Sequence, residues 1–118
     1  MKIDESRFGS ITIDGTRYDH DVIIRLSEKI KKRKKELSKK VHGTSHIISE
    51  EEARFVHEKG CEELILGTGQ NGLAGLSPEA KAFFKSMGVR VVARPTPEAV
   101  DAFNKSKAAR VGLFHVTC

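Results

Sequence analysis

The second half of the chain alternates apolar runs with the start and stop signals of helices. Three apolar runs predict strands, at residues 62–66, 89–93 and 111–116. Between them, one helix begins at Ser77 and ends at Gly88, and another begins at Thr96, each with a proline in its first turn. Strands connected through helices form parallel βαβ units, which wind right-handed almost without exception. Residues 62–116 therefore predict a βαβαβ arrangement within an α/β fold.

The first half predicts a β-hairpin followed by a further helix. Residues 11–26 form two apolar runs around an Asp-Gly turn, which is typical of a hairpin. Ser49 and Glu52 have the spacing of a capping box, for a helix that ends near Gly60. We expect the hairpin to form an N-terminal layer that makes the central sheet mixed. At 118 residues, without repeats or linkers, the chain predicts a single compact domain over 1–118.

The amino-acid composition limits which classes of protein the chain can belong to. Hydrophobic residues make up 38% and charged residues 31%, and no apolar stretch approaches the ~20 residues of a membrane span. Acidic residues at positions 4 and 5 argue against a signal peptide, so we expect a cytoplasmic protein that does not bind a membrane. Cytoplasmic thiols stay reduced, and Cys61 and Cys118 are therefore predicted to be free.

Most of the positive charge lies in one stretch, Lys29–Lys40, which we call the basic segment. It holds eight basic residues and one acid, a contribution of +7 to a net charge of +5, so the remainder carries −2. Its apolar residues fit either one helical stripe or a strand over residues 30–34 followed by a short helix. A run of this kind is usually a solvated face, and it lacks interleaved aromatic residues for base stacking. Nucleic acid is accordingly a less favoured partner.

Residues Gly67–Gly72, reading Gly-Thr-Gly-Gln-Asn-Gly, follow the first predicted strand of the βαβαβ unit. Three glycines permit positive φ and leave backbone N–H groups free to turn toward a ligand or toward another segment of the chain. The spacing matches a dinucleotide fingerprint, but there the third glycine already lies in the helix, which here begins only at Ser77. Arg94 stands where the fingerprint requires an acid. We therefore predict a site at this loop without a nucleotide cofactor.

Ligands of open α/β sheets favour the crevice beyond the carboxyl ends of the strands. Gly67–Gly72, Arg94 and residues 117–118 are expected to meet there. The predicted ligand-binding residues come from these segments, from the final strand and from the loop after the basic segment: Thr44, His46, Gly67, Thr68, Gly69, Arg94 and His115. His115 and Cys118 face opposite ways on a strand, so we predict no metal site, and no cofactor.

The chain resembles a family of small single-domain proteins of largely unknown function. The resemblance is carried by Gly43-Thr44-Ser45-His46 and by Phe114-His115-Val116-Thr117-Cys118, and it extends over nearly the whole length. That family includes the human adipogenesis-associated protein and, more distantly, mitochondrial complex I assembly factors. It implies a compact α/β fold with a mixed sheet and no established activity. Some relatives carry tryptophans where this chain has its basic segment, and here there are none.

Three functions follow from these observations. The first is a non-enzymatic domain that binds a partner protein or a small anionic ligand beside the Gly67–Gly72 loop. The second is an enzyme of unassigned reaction with His46 or His115 as acid or base, since imidazole titrates near neutral pH. The third is a nucleic-acid-associated protein that uses the basic segment.

Overall fold

Ten strands and four helices follow one another along residues 1–118 of a computed structural model. In chain order they are β1 (Ile3–Arg7), β2 (Ser10–Ile13), β3 (Thr16–Tyr18), β4 (Val22–Ile24), β5 (Ile30–Lys32), α1 (Glu36–His42), β6 (Ile47–Ile48), α2 (Glu50–Val56), β7 (Glu63–Thr68), β8 (Gly75–Leu76), α3 (Pro78–Ser86), β9 (Arg90–Arg94), α4 (Thr96–Lys105) and β10 (Arg110–His115). None of the helices is long and apolar enough to cross a bilayer.

The central sheet has five strands in the order β5-β4-β10-β7-β9. β7 pairs in parallel with β9 on one side and with β10 on the other, as the βαβαβ pattern predicts. β4 runs antiparallel to β10 and to β5, so the sheet is mixed. The predicted α/β fold with a mixed central sheet is confirmed.

The N-terminal hairpin is confirmed, but its relation to the central sheet was predicted wrongly. β2 and β3 pair around the Asp-Gly turn and, with β1, form a separate three-stranded sheet. The second run, residues 16–26, does not form one strand, because it leaves this sheet after Tyr18 and resumes as β4 in the central one. The central sheet is therefore mixed because β4 and β5 pair antiparallel, and not because the hairpin joins it.

The two faces of the central sheet bury different layers. One face packs α2 and α3 through residues such as Ile23, Leu64 and Leu113. The opposite face packs α4 and the N-terminal sheet through residues such as Ile65 and Phe114. Each strand contributes to both cores because alternate side chains point to opposite faces. Residue 115 of β10 therefore points toward the α2 side.

Helix starts follow the sequence signals more closely than helix ends. The Ser49 and Ser77 hydroxyls cap α2 and α3 by accepting from the backbone N–H three residues on. The end of α2 near Gly60 was wrong, since the helix ends at Val56. Met87 directly follows the last residue of α3, Ser86, and is 49% exposed.

The basic segment follows the second of its two predicted forms. Residues 30–32 are the edge strand β5, and α1 begins at Glu36. A continuous helical stripe does not form, and Val41 is 59% exposed. The chain then turns at Gly43, whose φ of +71° ends α1 in the left-handed region.

Candidate functional site

A buried polar cluster lies where the apolar core ends on the α2 side of the central sheet. Its members are Asp21, just before β4, Arg33, just after β5, Glu52 on α2, and His115 at the end of β10. β4 runs antiparallel to β10, so the start of β4 lies beside the end of β10. This topology brings together residues that are up to 94 positions apart.

Arg33 is the centre of the cluster. Its Nε donates to Glu52 Oε2 at 2.6 Å, and its two terminal nitrogens donate to Asp21 Oδ2 at 2.9 Å and to the Ser45 carbonyl at 2.7 Å. Its side chain is 1% exposed, and that of Glu52 is not exposed at all. Burial alone would lower the pKa of Arg33, but Glu52 and Asp21 outweigh it and raise the pKa above its usual value. Arg33 is a structural cation whose charge two carboxylates balance.

Glu52 links this cluster to the start of α2. Its backbone N–H donates to Ser49 Oγ, and its carboxylate accepts from Arg33 and from Ser38 Oγ. Ser49 Oγ in turn donates to the Leu37 carbonyl at 2.9 Å. Only half of the predicted capping box forms, because the Ser49 N–H donates to Ser38 Oγ while the Glu52 carboxylate binds Arg33.

Asp21, His115 and Thr117 form a carboxylate–imidazole–hydroxyl chain. Asp21 Oδ2 lies 2.8 Å from His115 Nδ1, and His115 Nε2 lies 3.1 Å from Thr117 Oγ1. Because an ionised carboxylate only accepts hydrogen bonds, it favours the tautomer with the proton on Nδ1. Nε2 then accepts from the Thr117 hydroxyl.

Asp21 stays ionised in this arrangement. Burial would raise its pKa, but hydrogen bonds from His115 and from the Val116 N–H, with the neighbouring Arg33, lower it from 3.8 to about 2. The second carboxylate oxygen accepts from Val116 N at 2.8 Å. The orientation of this carboxylate is therefore fixed from three sides.

A polar cleft of about 320 Å³ opens over this chain. Its most buried lining residues are Val116, Arg33 and His115, and its other residues include Gly9, His20, Asp21, Lys32, Lys35, Ser45 and Thr117. Lys32 and Lys35 are exposed and form no ion pair within the protein. The cleft is thus a small polar site with two free ammonium groups.

A larger cavity of about 680 Å³ lies between α3 and β9. Apolar side chains such as Leu76, Val89 and Val91 line much of it, and Lys81 and Lys85 stand among them. No carboxylate, imidazole or thiol lines it. The chemistry of the protein is concentrated in the polar cleft, which we therefore take as the candidate site.

The amides of the glycine loop bind another segment of the chain, which is the second of the two arrangements predicted for them. Gly69 N donates to Thr96 Oγ1, Gln70 N to the Thr117 carbonyl, and Asn71 N to the Cys118 carbonyl. At Gly69 φ is +102°, and an added Cβ would lie 2.2 Å from the Cys118 carbonyl carbon. The glycines therefore let the loop bind residues 117–118, which carry one wall of the cleft.

The predicted ligand-binding residues His46, Thr44 and Gly67 have different neighbours. His46 packs edge-to-face on His115, with ring centroids 5.4 Å apart, and Thr44 Oγ1 accepts from His46 N. Gly67 leaves room for the Phe114 ring, which an added Cβ would approach to 2.8 Å. Their ligand-binding role stays a prediction.

Thr68 and Arg94 have different surroundings. Thr68 is the β7 partner of His115 in the parallel β7–β10 register, so the two side chains lie next to each other on one face of the sheet. Thr68 is buried and lines the apolar cavity, and Arg94 is exposed and donates to the carbonyl of its neighbour Ala93. Neither lines the polar cleft. The structure brings together His46, His115 and Thr68, but Arg94 does not line the cleft.

The basic segment does not present its charges together. Arg33 is buried, Lys34 lies 4.5 Å from the Phe55 ring centre, and Lys40 pairs with Glu51 at 2.6 Å. Lys31 and Lys32 point to opposite faces of β5. Nucleic acid as a partner stays a prediction, and nothing in this arrangement favours it.

Comparison with known proteins gives a family but no activity. Residues 3–114 match the model of the family described as "Protein of unknown function (DUF498/DUF598)". The chain is 40% identical to a conserved hypothetical protein from Pyrococcus horikoshii OT3, with 100% of both chains covered and a TM-score of 0.93.

Two further structures share the fold. The structure of MT938 is 28% identical, with 99% of this chain and 98% of that chain covered and a TM-score of 0.85. A Mth938-like domain from Bordetella pertussis is 19% identical, with 98% and 85% covered and a TM-score of 0.62, and at that identity it shows the fold alone. The resemblance to adipogenesis and complex I assembly proteins stays a prediction.

Proposed function

The chain belongs to the family described as protein of unknown function DUF498/DUF598, and within this fold we propose that the polar cleft binds a small anionic ligand. The observation that carries the proposal is the pair of ammonium groups, Lys32 and Lys35, on a polar cleft of about 320 Å³. That volume is at the lower end of the roughly 300–1,000 Å³ of ligand pockets. The ligand is therefore small.

The charge balance of the cleft supports an anion. Arg33 is neutralised by Asp21 and Glu52, and Asp19 pairs with Arg17 at 2.7 Å. Arg33, Asp21 and Glu52 together carry −1, so the two lysines leave the cleft with a net charge of +1. Ammonium groups at such a site attract carboxylate or phosphate groups.

Hydrogen-bonding groups around the lysines add selectivity. The Thr117 hydroxyl and the His20 ring line the cleft. The glycine loop donates amides to the Thr117 and Cys118 carbonyls and does not itself line the cleft. The proposed ligand therefore contacts Thr117 and His115 rather than the loop amides.

Thermal-shift and NMR titrations with inorganic phosphate, succinate, citrate and AMP test the proposal. A ligand that binds only the folded state stabilises it by about 2.7 kcal/mol at a hundredfold excess over Kd. We expect one of these anions to raise the melting temperature and to shift amide resonances of residues 32–35 and 115–117. Replacing Lys32→Ala and Lys35→Ala together should abolish the shift.

Lys31→Ala is the matched control, because Lys31 is exposed on the same strand but does not line the cleft. It removes one positive charge, against two in the double variant, and should leave the titration unchanged. Absence of stabilisation by every anion, or equal loss in the Lys31 variant, would reject the cleft as the anion site.

A further inference from the structure

We propose that Thr117 is an acyl-accepting nucleophile activated by His115, and that the substrate is a small ester or thioester with an anionic group. The inference rests on the proposed anion site and assigns it a reaction. Its basis is the Asp21–His115–Thr117 chain, with contacts of 2.8 Å and 3.1 Å, beside the two lysines of the cleft. A hydroxyl within hydrogen-bond reach of a base that a third group orients is the arrangement of an activated nucleophile.

The geometry assigns one role to each residue. With Nδ1 protonated and held by Asp21, the Nε2 lone pair of His115 faces the Thr117 hydroxyl. Thr117 is half-buried and lines the cleft, so its oxygen is accessible to a bound carbonyl group. Asp21 and Arg33 do not touch the substrate. They are positioning residues that fix the imidazole.

The reaction has two balanced steps. The Thr117 oxygen attacks the carbonyl carbon while Nε2 accepts the hydroxyl proton, the bond to the leaving oxygen or sulfur breaks, and the imidazolium returns the proton to the leaving group. An acyl ester on Thr117 remains. Water then attacks that ester with Nε2 again as base, and the carboxylic acid departs as the Thr117 hydroxyl is restored.

The charges near the cleft favour acyl over phosphoryl transfer. Phosphoryl transfer depends on cations that neutralise charge spread over several oxygens. The Arg33 guanidinium is already engaged by Glu52, Asp21 and the Ser45 carbonyl. Lys32 and Lys35 suffice for one anionic group and for the single oxyanion of an acyl-transfer intermediate.

The test uses mono-p-nitrophenyl succinate, with neutral p-nitrophenyl acetate for comparison. We expect a burst of nitrophenolate from the wild type, a succinyl adduct that peptide mapping places on Thr117, and slower reaction of the neutral ester. Thr117→Val should lose the burst and the adduct, and Thr117→Ser should keep both. His115→Gln should slow acylation by about 10²–10⁴-fold.

Cys118→Ala is the control for a thiol nucleophile, and it should retain the burst. For Asp21→Asn, the readout is the pH profile of acylation. The groups that face His115 are Asp21, Arg33, His46 and Thr117. Because an amide can donate to Nδ1, we expect the Asp21→Asn variant to favour the His115 tautomer with its proton on Nε2. Since only a deprotonated Nε2 can accept the Thr117 proton, the acylation rate that depends on it should be lost.

Several results would overturn the inference: no adduct with either ester, an adduct on Cys118 or a lysine alone, or an undiminished burst in folded Thr117→Val. An Asp21→Asn profile identical to the wild type would reject the positioning role. Succinate titration of the same samples separates the two proposals. Binding without acylation leaves the anion site standing and rejects the nucleophile, whereas failure of the anion titrations rejects the site itself.

Discussion

Arg33 Nε donates to Glu52 Oε2 at 2.6 Å, and this ion pair connects the end of β5 to the first turn of α2 in a region without solvent. Removing two charges from water is costly, so such a pair is maintained only when the remaining hydrogen bonds are made. Here Asp21, Ser38 and the Ser45 carbonyl make them. The pair thereby fixes the carboxylate of Asp21 against His115.

Arg33→Met should destabilise the protein by about 3–5 kcal/mol, because it leaves the buried Glu52 charge without its partner. Urea unfolding measures the loss. Arg17→Met is the control, since Arg17 pairs with Asp19 at the exposed surface, where an ion pair contributes about 0–1 kcal/mol. Similar losses in the two variants would contradict a buried, charged Glu52.

Acidification should remove stability that Asp21 provides. Its pKa is about 2 in the folded protein and 3.8 in the reference state, so the unfolded chain binds the proton more tightly. The ionised Asp21 carboxylate thereby contributes about 2 kcal/mol to the free energy of unfolding. This contribution is complete above about pH 5 and is lost as the pH falls from there through 2. Urea unfolding across this range in wild type and Asp21→Asn measures it. A difference between them that does not shrink with acidification would contradict the assignment.

Gly69→Ala should destabilise the fold by more than about 2 kcal/mol. The alanine methyl meets the Cys118 backbone at 2.2 Å, and φ at this position is +102°. Gly75→Ala is the control, because its φ is not positive and nothing lies within 4 Å of the added Cβ. Thermal unfolding compares the two, and NMR shifts of Thr117 should change only in the first. A harmless Gly69 variant would show that the loop does not hold residues 117–118.

The two thiols should differ in reactivity. Both cysteines are free, and burial raises the pKa of Cys61, whose Sγ lies 3.3 Å from the Glu63 carbonyl. Cys118 is half-buried at the surface. Dithionitrobenzoate should modify Cys118 in the native protein and Cys61 only on unfolding, and Cys118→Ser should abolish the fast phase. Fast modification that persists in that variant would contradict the burial of Cys61.

The site residues differ in how far the sequence alone predicted them. His46 and His115 were recognised from the motifs Gly43-Thr44-Ser45-His46 and Phe114-His115-Val116-Thr117-Cys118, in which an imidazole lies within two residues of a hydroxyl side chain. Asp21 and Arg33 were missed, since a lone aspartate before a strand and one arginine among lysines carry no local signal. Glu52 was recognised only as a capping residue. A useful signal was present in Arg33, the only guanidinium in the basic segment, because arginine suits buried multidentate pairs better than lysine does.

The sequence by itself determined the elements whose causes are local. Ser77 with Pro78, the proline after Thr96 and the Asp-Gly turn act through contacts a few residues apart, and the alternation of strands and helices restricts β7, β9 and β10 to parallel pairing. Only the tertiary structure decided which charges are buried and where the site lies. The contact between Asp21 and His115 joins residues 94 positions apart, and its formation depends on β4 pairing antiparallel with β10. A buried polar group is stable only where folding brings it hydrogen-bonding partners. Here those partners lie far away in the sequence, so no local spacing of residues predicts them.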